Sequence, residues 1–184
     1  MAASFPPLSL TPEITESYVQ SHDLKYHVLS AGQPKKPLVI CLHGFPELAY
    51  SWRKVMPGIA DEGYHVVAYD QRGYGRTTGW DTGDFSSVNL NTFRFTLLVR
   101  DAVILVNALG YKEAACVLGH DFGAVAASMC AVMRPDIFKS YALFGAAGIL
   151  LTNLQSDIDV PSIQRNSLPS IQHRLQPSTS PTKR

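Results

Sequence analysis

Apolar positions fall into short runs of alternating strand and helix character, separated by turn residues. Leu24 to Leu29 reads Leu-Lys-Tyr-His-Val-Leu, and this alternation predicts a strand. Ala31-Gly32-Gln33-Pro34 turns the chain, and Lys35-Lys36 reads as solvated turn. Pro37 to Leu42 is then apolar without alternation, as expected of a strand buried on both faces of a parallel sheet. A helical stretch from about Ser51 to Ala60 is stopped by Gly63, and His65 to Tyr69 is a second buried strand. After a polar loop, Thr78 to Asn91, the stretch Thr92 to Leu109 sets Phe95, Leu98, Val99, Ala102, Val103 and Val106 on one helical face, and Gly110 caps it. Ala114 to Leu118 predicts another buried strand, Ala124 to Cys130 a helix of small residues, and Tyr141 to Phe144 a further strand beyond Pro135-Asp136. Alternation of this kind predicts an α/β fold with a mostly parallel, doubly wound sheet. Function-bearing loops then belong at the carboxyl ends of the strands.

The flanks read differently. Residues 1–22 are expected to be a polar lead-in, with a possible helix cap at Thr11-Pro12-Glu13, and 23–150 to be the folded core. From Pro161 the chain is rich in Ser, Pro and Gln without an acidic residue, so 151–184 is expected to be a disordered tail. Within it Ile163, Leu168, Ile171 and Leu175 have the spacing of a marginal helix that a partner would have to support. A chain of 184 residues is long enough for one domain burying roughly 70% of its unfolded surface. The formal net charge of +1 argues against nucleic acid or an acidic membrane bound through bulk charge. The longest apolar run, Tyr141 to Leu151, is about half the length a bilayer needs. The first residues lack the basic region of a secretory signal, and Pro6 and Pro7 interrupt what is apolar there. Cys41, Cys116 and Cys130 are an odd set without metal-ligand spacing, so reduced core thiols and a cytoplasmic setting are expected, with neither metal nor cofactor.

The candidate chemistry sits between the strand at 114–118 and the helix at 124–130. Gly119-His120-Asp121-Phe122-Gly123 makes a sharp turn there with an acidic residue at its apex. The same architecture with serine is the nucleophile elbow of the α/β-hydrolases. Strand and helix pass so close in such a turn that Gly119 and Gly123 can carry no Cβ, and the apex residue is held in strained backbone that lifts its side chain clear of the sheet. A carboxylate there is already ionised at neutral pH and attacks carbon without a base to deprotonate it. It suits a strained epoxide carbon or one bearing halide, and the product is an enzyme ester.

Two more loops end predicted strands: His43-Gly44-Phe45-Pro46-Glu47, and Asp70-Gln71-Arg72-Gly73-Tyr74-Gly75. With the elbow, in this order and spacing, they resemble the epoxide hydrolases of the α/β-hydrolase superfamily over about residues 12–144. The resemblance implies a small-molecule epoxide as substrate and Asp121 as the nucleophile. It implies that the backbone N–H groups of Phe45 and Phe122 form an oxyanion hole, that Pro46 is a cis proline turning the Phe45 amide inward, and that Trp52, Phe45, Phe122 and Pro46 line the substrate pocket. His43, Gly44, Gly119, His120 and Gly123 are then structural, and Asp70 and Arg72 are expected to bond within their own loop.

The same resemblance implies a catalytic histidine with its acid partner, from a C-terminal half, and two tyrosines from a cap domain. Here the histidine after Asp121 is His173, in surroundings unlike the family's, and the last tyrosine is Tyr141. The expectation is therefore a fold truncated after 141–144, without a cap, its last strand an edge open to a protein partner, and with turnover stalled at the ester. Two other readings stand beside it. One is a haloalkane or haloacid dehalogenase, although Phe122 lacks the indole N–H that halide-binding versions place after the nucleophile. The other is a non-catalytic binding or regulatory half-domain.

Overall fold

In the computed structural model, which describes residues 5–84 and 86–145, six strands form one mixed sheet. In chain order they are β1 (Ile14–Ser21), β2 (Leu24–Ala31), β3 (Leu38–Leu42), β4 (His65–Tyr69), β5 (Cys116–His120) and β6 (Tyr141–Phe144). Three helices alternate with the later strands: α1 (Met56–Asp61), α2 (Phe95–Ala108) and α3 (Phe122–Met133). The strand order is β1-β2-β4-β3-β5-β6; β4, β3, β5 and β6 are mutually parallel, while β1 and β2 pair antiparallel. The parallel, doubly wound part matches the sequence expectation. The expected disorder of 151–184 and the helical spacing of Ile163 to Leu175 lie outside the described residues.

The lack of alternation in β3 has a direct cause. Leu38, Ile40 and Leu42 pack on the face covered by α2 and α3, and Val39 and Cys41 on the face covered by α1, so every residue of the strand is buried. β4 is buried throughout in the same way. Cys41 and Cys130 are buried and Cys116 half-buried, all three unpaired; burial pushes the Cys130 thiol up to about 12.

Three expectations are corrected. Residues 1–22 are not merely a lead-in: β1 pairs with β2 over eight residues, from Ile14 with Ala31 to Ser21 with Leu24. Its periodicity is faint because it is an outer strand whose only fully buried residue is Ile14. Thr11-Pro12-Glu13 is the turn that starts it, with the Ile14 N–H donating to the Thr11 carbonyl at 3.0 Å, not a helix cap. The helix expected at 51–60 is two pieces, a 3₁₀ turn at Ala49–Lys54 and then α1, which begins at Met56-Pro57, where a proline's missing N–H costs nothing. The long amphipathic helix starts later than expected, at Phe95, because Arg94 is extended after a 3₁₀ turn at Leu90–Phe93.

Asp70 and Arg72 also reach beyond their own loop. Asp70 accepts from the Arg76 N–H within the loop, and also from the Ala49 N–H and from His27 on β2. Arg72, 3% exposed, sends its guanidinium to both oxygens of Asp101 on α2, at 2.7 and 2.9 Å, and to Asp23 in the β1–β2 turn at 3.1 Å. The loop after β4 is thereby fastened to a helix and a hairpin, which keeps the carboxyl end of the sheet in one piece.

Candidate active site

β5 delivers Gly119-His120 to the sheet's carboxyl end and α3 leaves it at Phe122, so one residue must reverse the chain. That residue is Asp121, with φ 52° and ψ −118°. A positive φ at a residue with a Cβ is sparsely populated and strained, and it is tolerated where the surroundings over-determine it. Here they do. The Asp121 N–H donates to the Phe144 carbonyl at 2.9 Å and its carbonyl accepts from Ala124 at 3.0 Å. A Cβ on Gly119 would stand 2.4 Å from the Gly123 carbonyl oxygen, and one on Gly123 2.3 Å from that of Leu42. A Cβ on Gly44 would stand 2.7 Å from the Asp121 Cβ, so the loop after β3 also crosses directly over the apex.

That crossing sets the electrostatics. The Phe45 N–H donates to Asp121 Oδ1 at 3.0 Å. Bonds from the Phe45 and Phe122 amides hold the Asp121 carboxyl below the usual carboxylate range, with the nearby His120 assisting. Asp121 is exposed and ionised, at the N-terminus of α3, whose dipole also favours negative charge. Of the two amides named from the sequence, the Phe45 N–H makes a hydrogen bond to the carboxylate, and Phe122 opens α3 directly after it. The Phe45–Pro46 bond is cis.

His43 is fully buried, with Nδ1 on the Gly44 carbonyl at 2.9 Å and Nε2 accepting from the Gln71 N–H at 3.0 Å. Burial lowers its pKa, so it is a neutral Nδ1–H tautomer with both nitrogens engaged. His120 is partly exposed and bonds Glu47 Oε2 through Nδ1 at 2.9 Å. Burial works against the Glu47 charge, but the bonds from His120 and the Gly44 amide outweigh it and lower its pKa. Glu47 and His120 thereby tie the loop after β3 to the elbow.

The aromatic wall differs somewhat from the expected one. Phe45 is 68% exposed and Phe122 stacks at a tilt on Phe95, with ring centroids 5.1 Å apart. Trp52 is buried among core residues on the α1 side and meets the site edge-on through Phe144, at 6.1 Å. Its indole N–H has no hydrogen-bond partner among the described residues. Sequence reasoning missed Phe144, which reads as strand core but stands half-exposed where β6 ends beside Asp121, and it missed the Glu47–His120 pair. Only the parallel register, which sets Phe144 opposite His120, brings the former into view. A groove of about 460 Å³ lined by Gly32, Lys36, Pro57, Asp61 and Tyr64 lies at the amino ends of β3 and β4 and includes none of these residues. No described helix is long and apolar enough to cross a membrane.

A mostly parallel sheet with helices on both faces, and a strained carboxylate at a strand–turn–helix elbow, define an α/β-hydrolase architecture. The chain belongs to the α/β-hydrolase fold family, whose model matches residues 37–176. Within it the chain is 35% identical to epoxide hydrolase A of Mycobacterium tuberculosis over 158 residues, 86% of this chain and 42% of that protein. It is 37% identical to human epoxide hydrolase 4 over 141 residues, 74% of this chain and 36% of the relative. The crystal structure of epoxide hydrolase A from Mycobacterium thermoresistibile superposes with a TM-score of 0.63 at 36% identity, covering 71% of this chain and 38% of that one. The chain thus spans about two fifths of the length of these relatives.

Proposed function

We propose that Asp121 is the nucleophile of an epoxide-hydrolase reaction. One carboxylate oxygen forms a bond to an epoxide carbon, the strained C–O bond breaks, and the ring oxygen takes a proton from solvent water, releasing hydroxide, to leave a hydroxyalkyl ester on Asp121. When water adds to that ester, negative charge develops on the carbonyl oxygen, and the amides of Phe45 and Phe122 receive it; each such donor is worth about 3–4 kcal/mol of barrier. The observation that carries the reading is the 3.0 Å bond from the Phe45 N–H to an ionised carboxylate at a strained elbow. The relatives named epoxide hydrolases support the choice of electrophile. Phe122 has no side-chain N–H to hold a leaving halide, which disfavours the dehalogenase reading.

The test is incubation with styrene oxide, following intact mass and diol together, with Asp121→Asn alongside. The expected result is a lasting adduct on the native chain and none on the variant. It lasts because hydrolysis needs a base to activate water: His43 has neither ring nitrogen to spare, and His120 is held on Glu47 through Nδ1. Diol without adduct, lost in Asp121→Asn, would keep the nucleophile and assign the second step to another group, such as His173, which lies outside the described residues. Neither product would sink the reading and leave a binding role at the β6 edge. Chloride release from a haloalkane, with no epoxide chemistry, would replace epoxide by halide.

The pH dependence of the alkylation step follows from the same geometry. A carboxyl whose pKa is lowered stays ionised until the pH falls through that lowered value. The labelling rate is therefore expected not to fall as pH is lowered from about 7 to about 5. Stopped reactions quantified by mass check this, and a midpoint near pH 6 would contradict it.

A further inference from the structure

Behind the loop after β3 lies a buried charge cluster that the chemistry above does not use. His27, on β2 and 2% exposed, has Nδ1 at 2.9 Å from Asp70 Oδ2 and Nε2 at 2.9 Å from Glu16 Oε1 on β1. Both partners are committed acceptors. Asp70 also receives the backbone N–H groups of Ala49 and Arg76, each at 2.9 Å, and Glu16 Oε1 also receives Arg76 Nη1 at 3.0 Å. With ionised, acceptor-only carboxylates on both sides, both ring nitrogens must donate, so the ring is an imidazolium. Also described against it are Thr77 Oγ1, which accepts from the His27 N–H, and the Tyr18 ring of β1, 5.4 Å away.

The cluster connects to the site through backbone. Ala49, held by Asp70 Oδ1, opens the 3₁₀ turn that follows Phe45-Pro46-Glu47. Gln71, the next residue after Asp70, holds His43 at the start of the same loop through two bonds, its N–H to His43 Nε2 and its side-chain amide to the His43 carbonyl. The loop carrying the Phe45 amide is thus gripped at both ends by the residue pair Asp70-Gln71. We propose that His27 is a positioning residue for the oxyanion loop: as an imidazolium it fixes Asp70, and Asp70 fixes the backbone on which the Phe45 N–H depends. This rests on the reading of Phe45 and Asp121 given above.

The consequence is a pH limit on the alkaline side. Burial alone would lower the His27 pKa, but the bonds to Asp70 and Glu16 outweigh it and raise it above the usual histidine value. A group raised on folding contributes fully below its unfolded value and loses its contribution as pH rises through the folded one. Losing the proton leaves a ring nitrogen facing a carboxylate with no hydrogen between them, which loosens the hold on Asp70.

The experiment is an NMR titration of the full chain with labelled histidine and backbone amides, paired with the rate of Asp121 labelling by styrene oxide over the same pH range. Glu16→Gln, at a partly exposed position, removes one carboxylate without touching the core. The expected result is that His27 titrates above the ordinary histidine value in the native chain, and that the Phe45 and Ala49 amide resonances move with it. The labelling rate should fall along the same curve, by several-fold, and all three midpoints should shift to lower pH in Glu16→Gln. A His27 midpoint at or below its ordinary value would overturn the proposal. So would amide resonances, or a labelling rate, that ignore its titration. If no adduct forms at any pH, the nucleophile reading fails, and the amide resonances still decide whether His27 governs the loop.

Discussion

Gly123→Ala is expected to cost the chain about 3 kcal/mol or more, at or beyond the upper end for forced overpacking. The new methyl carbon would sit 2.3 Å from the Leu42 carbonyl oxygen and 2.5 Å from that of His43. Both are backbone atoms at the end of β3, so no side-chain rotation relieves the clash; α3 must move off the sheet or β3 must shift in register. For a chain of this size the loss corresponds to a melting point lower by about 10 °C. Asp121 should stop reacting even in whatever remains folded, because the Phe45 amide belongs to the segment that is displaced. Gly58→Ala is the control. A Cβ there meets nothing within 4 Å, it lies in α1, and alanine favours helix, so no loss is expected. Thermal melts of the two variants side by side check the pair, and equal destabilisation would contradict the close approach on which the elbow depends.

Asp101→Ala is the second large effect. It leaves the Arg72 guanidinium buried beneath the loop after β4 without its bidentate partner, and breaking a buried pair from one side costs about 3–5 kcal/mol. Asp23 still touches Arg72 at 3.1 Å, but it is half-exposed and shared with Arg100, so the cost should sit near the lower end of that range. Replacing both partners, Arg72→Met with Asp101→Leu, removes the stranded charge together with the pair and should recover most of the loss. Urea unfolding of the single and double variants measures this. A double variant as unstable as Asp101→Ala would mean that the pair does more than balance its own burial.

Much of the fold was legible because parallel strands buried on both faces leave unbroken apolar runs. Val39 and Cys41 point one way and Leu38, Ile40 and Leu42 the other, and both faces of the strand are covered. The elbow was legible for a related reason: only glycine at 119 and 123 lets strand and helix touch, so the spacing in sequence reports a spacing in space. β1 was not legible. Ile-Thr-Glu-Ser-Tyr-Val-Gln-Ser faces solvent along most of its length, and its strand character comes from hydrogen bonds to β2, which leave no mark on side-chain polarity. The reach of Arg72 to Asp101 was hidden too, since 29 residues separate partners that only the packing of α2 against the sheet brings together. The same holds for His27, which reads as an ordinary polar position in an alternating strand until β1 and the end of β4 close around it.

The Phe45-to-Asp121 contact predicts which atom is alkylated, and tandem mass spectrometry of the proteolysed adduct reads that directly. After brief exposure to styrene oxide at neutral pH, the label is expected on Asp121 alone, as an ester that releases diol in mild base. The exposed carboxylates Asp61, Glu62 and Glu113 should remain unmodified, since among the described residues none of them receives a backbone amide as Asp121 receives that of Phe45. Label spread over those surface carboxylates, or found on His120 or Cys116 while Asp121 stays intact, would contradict the assignment of the elbow as the reacting centre.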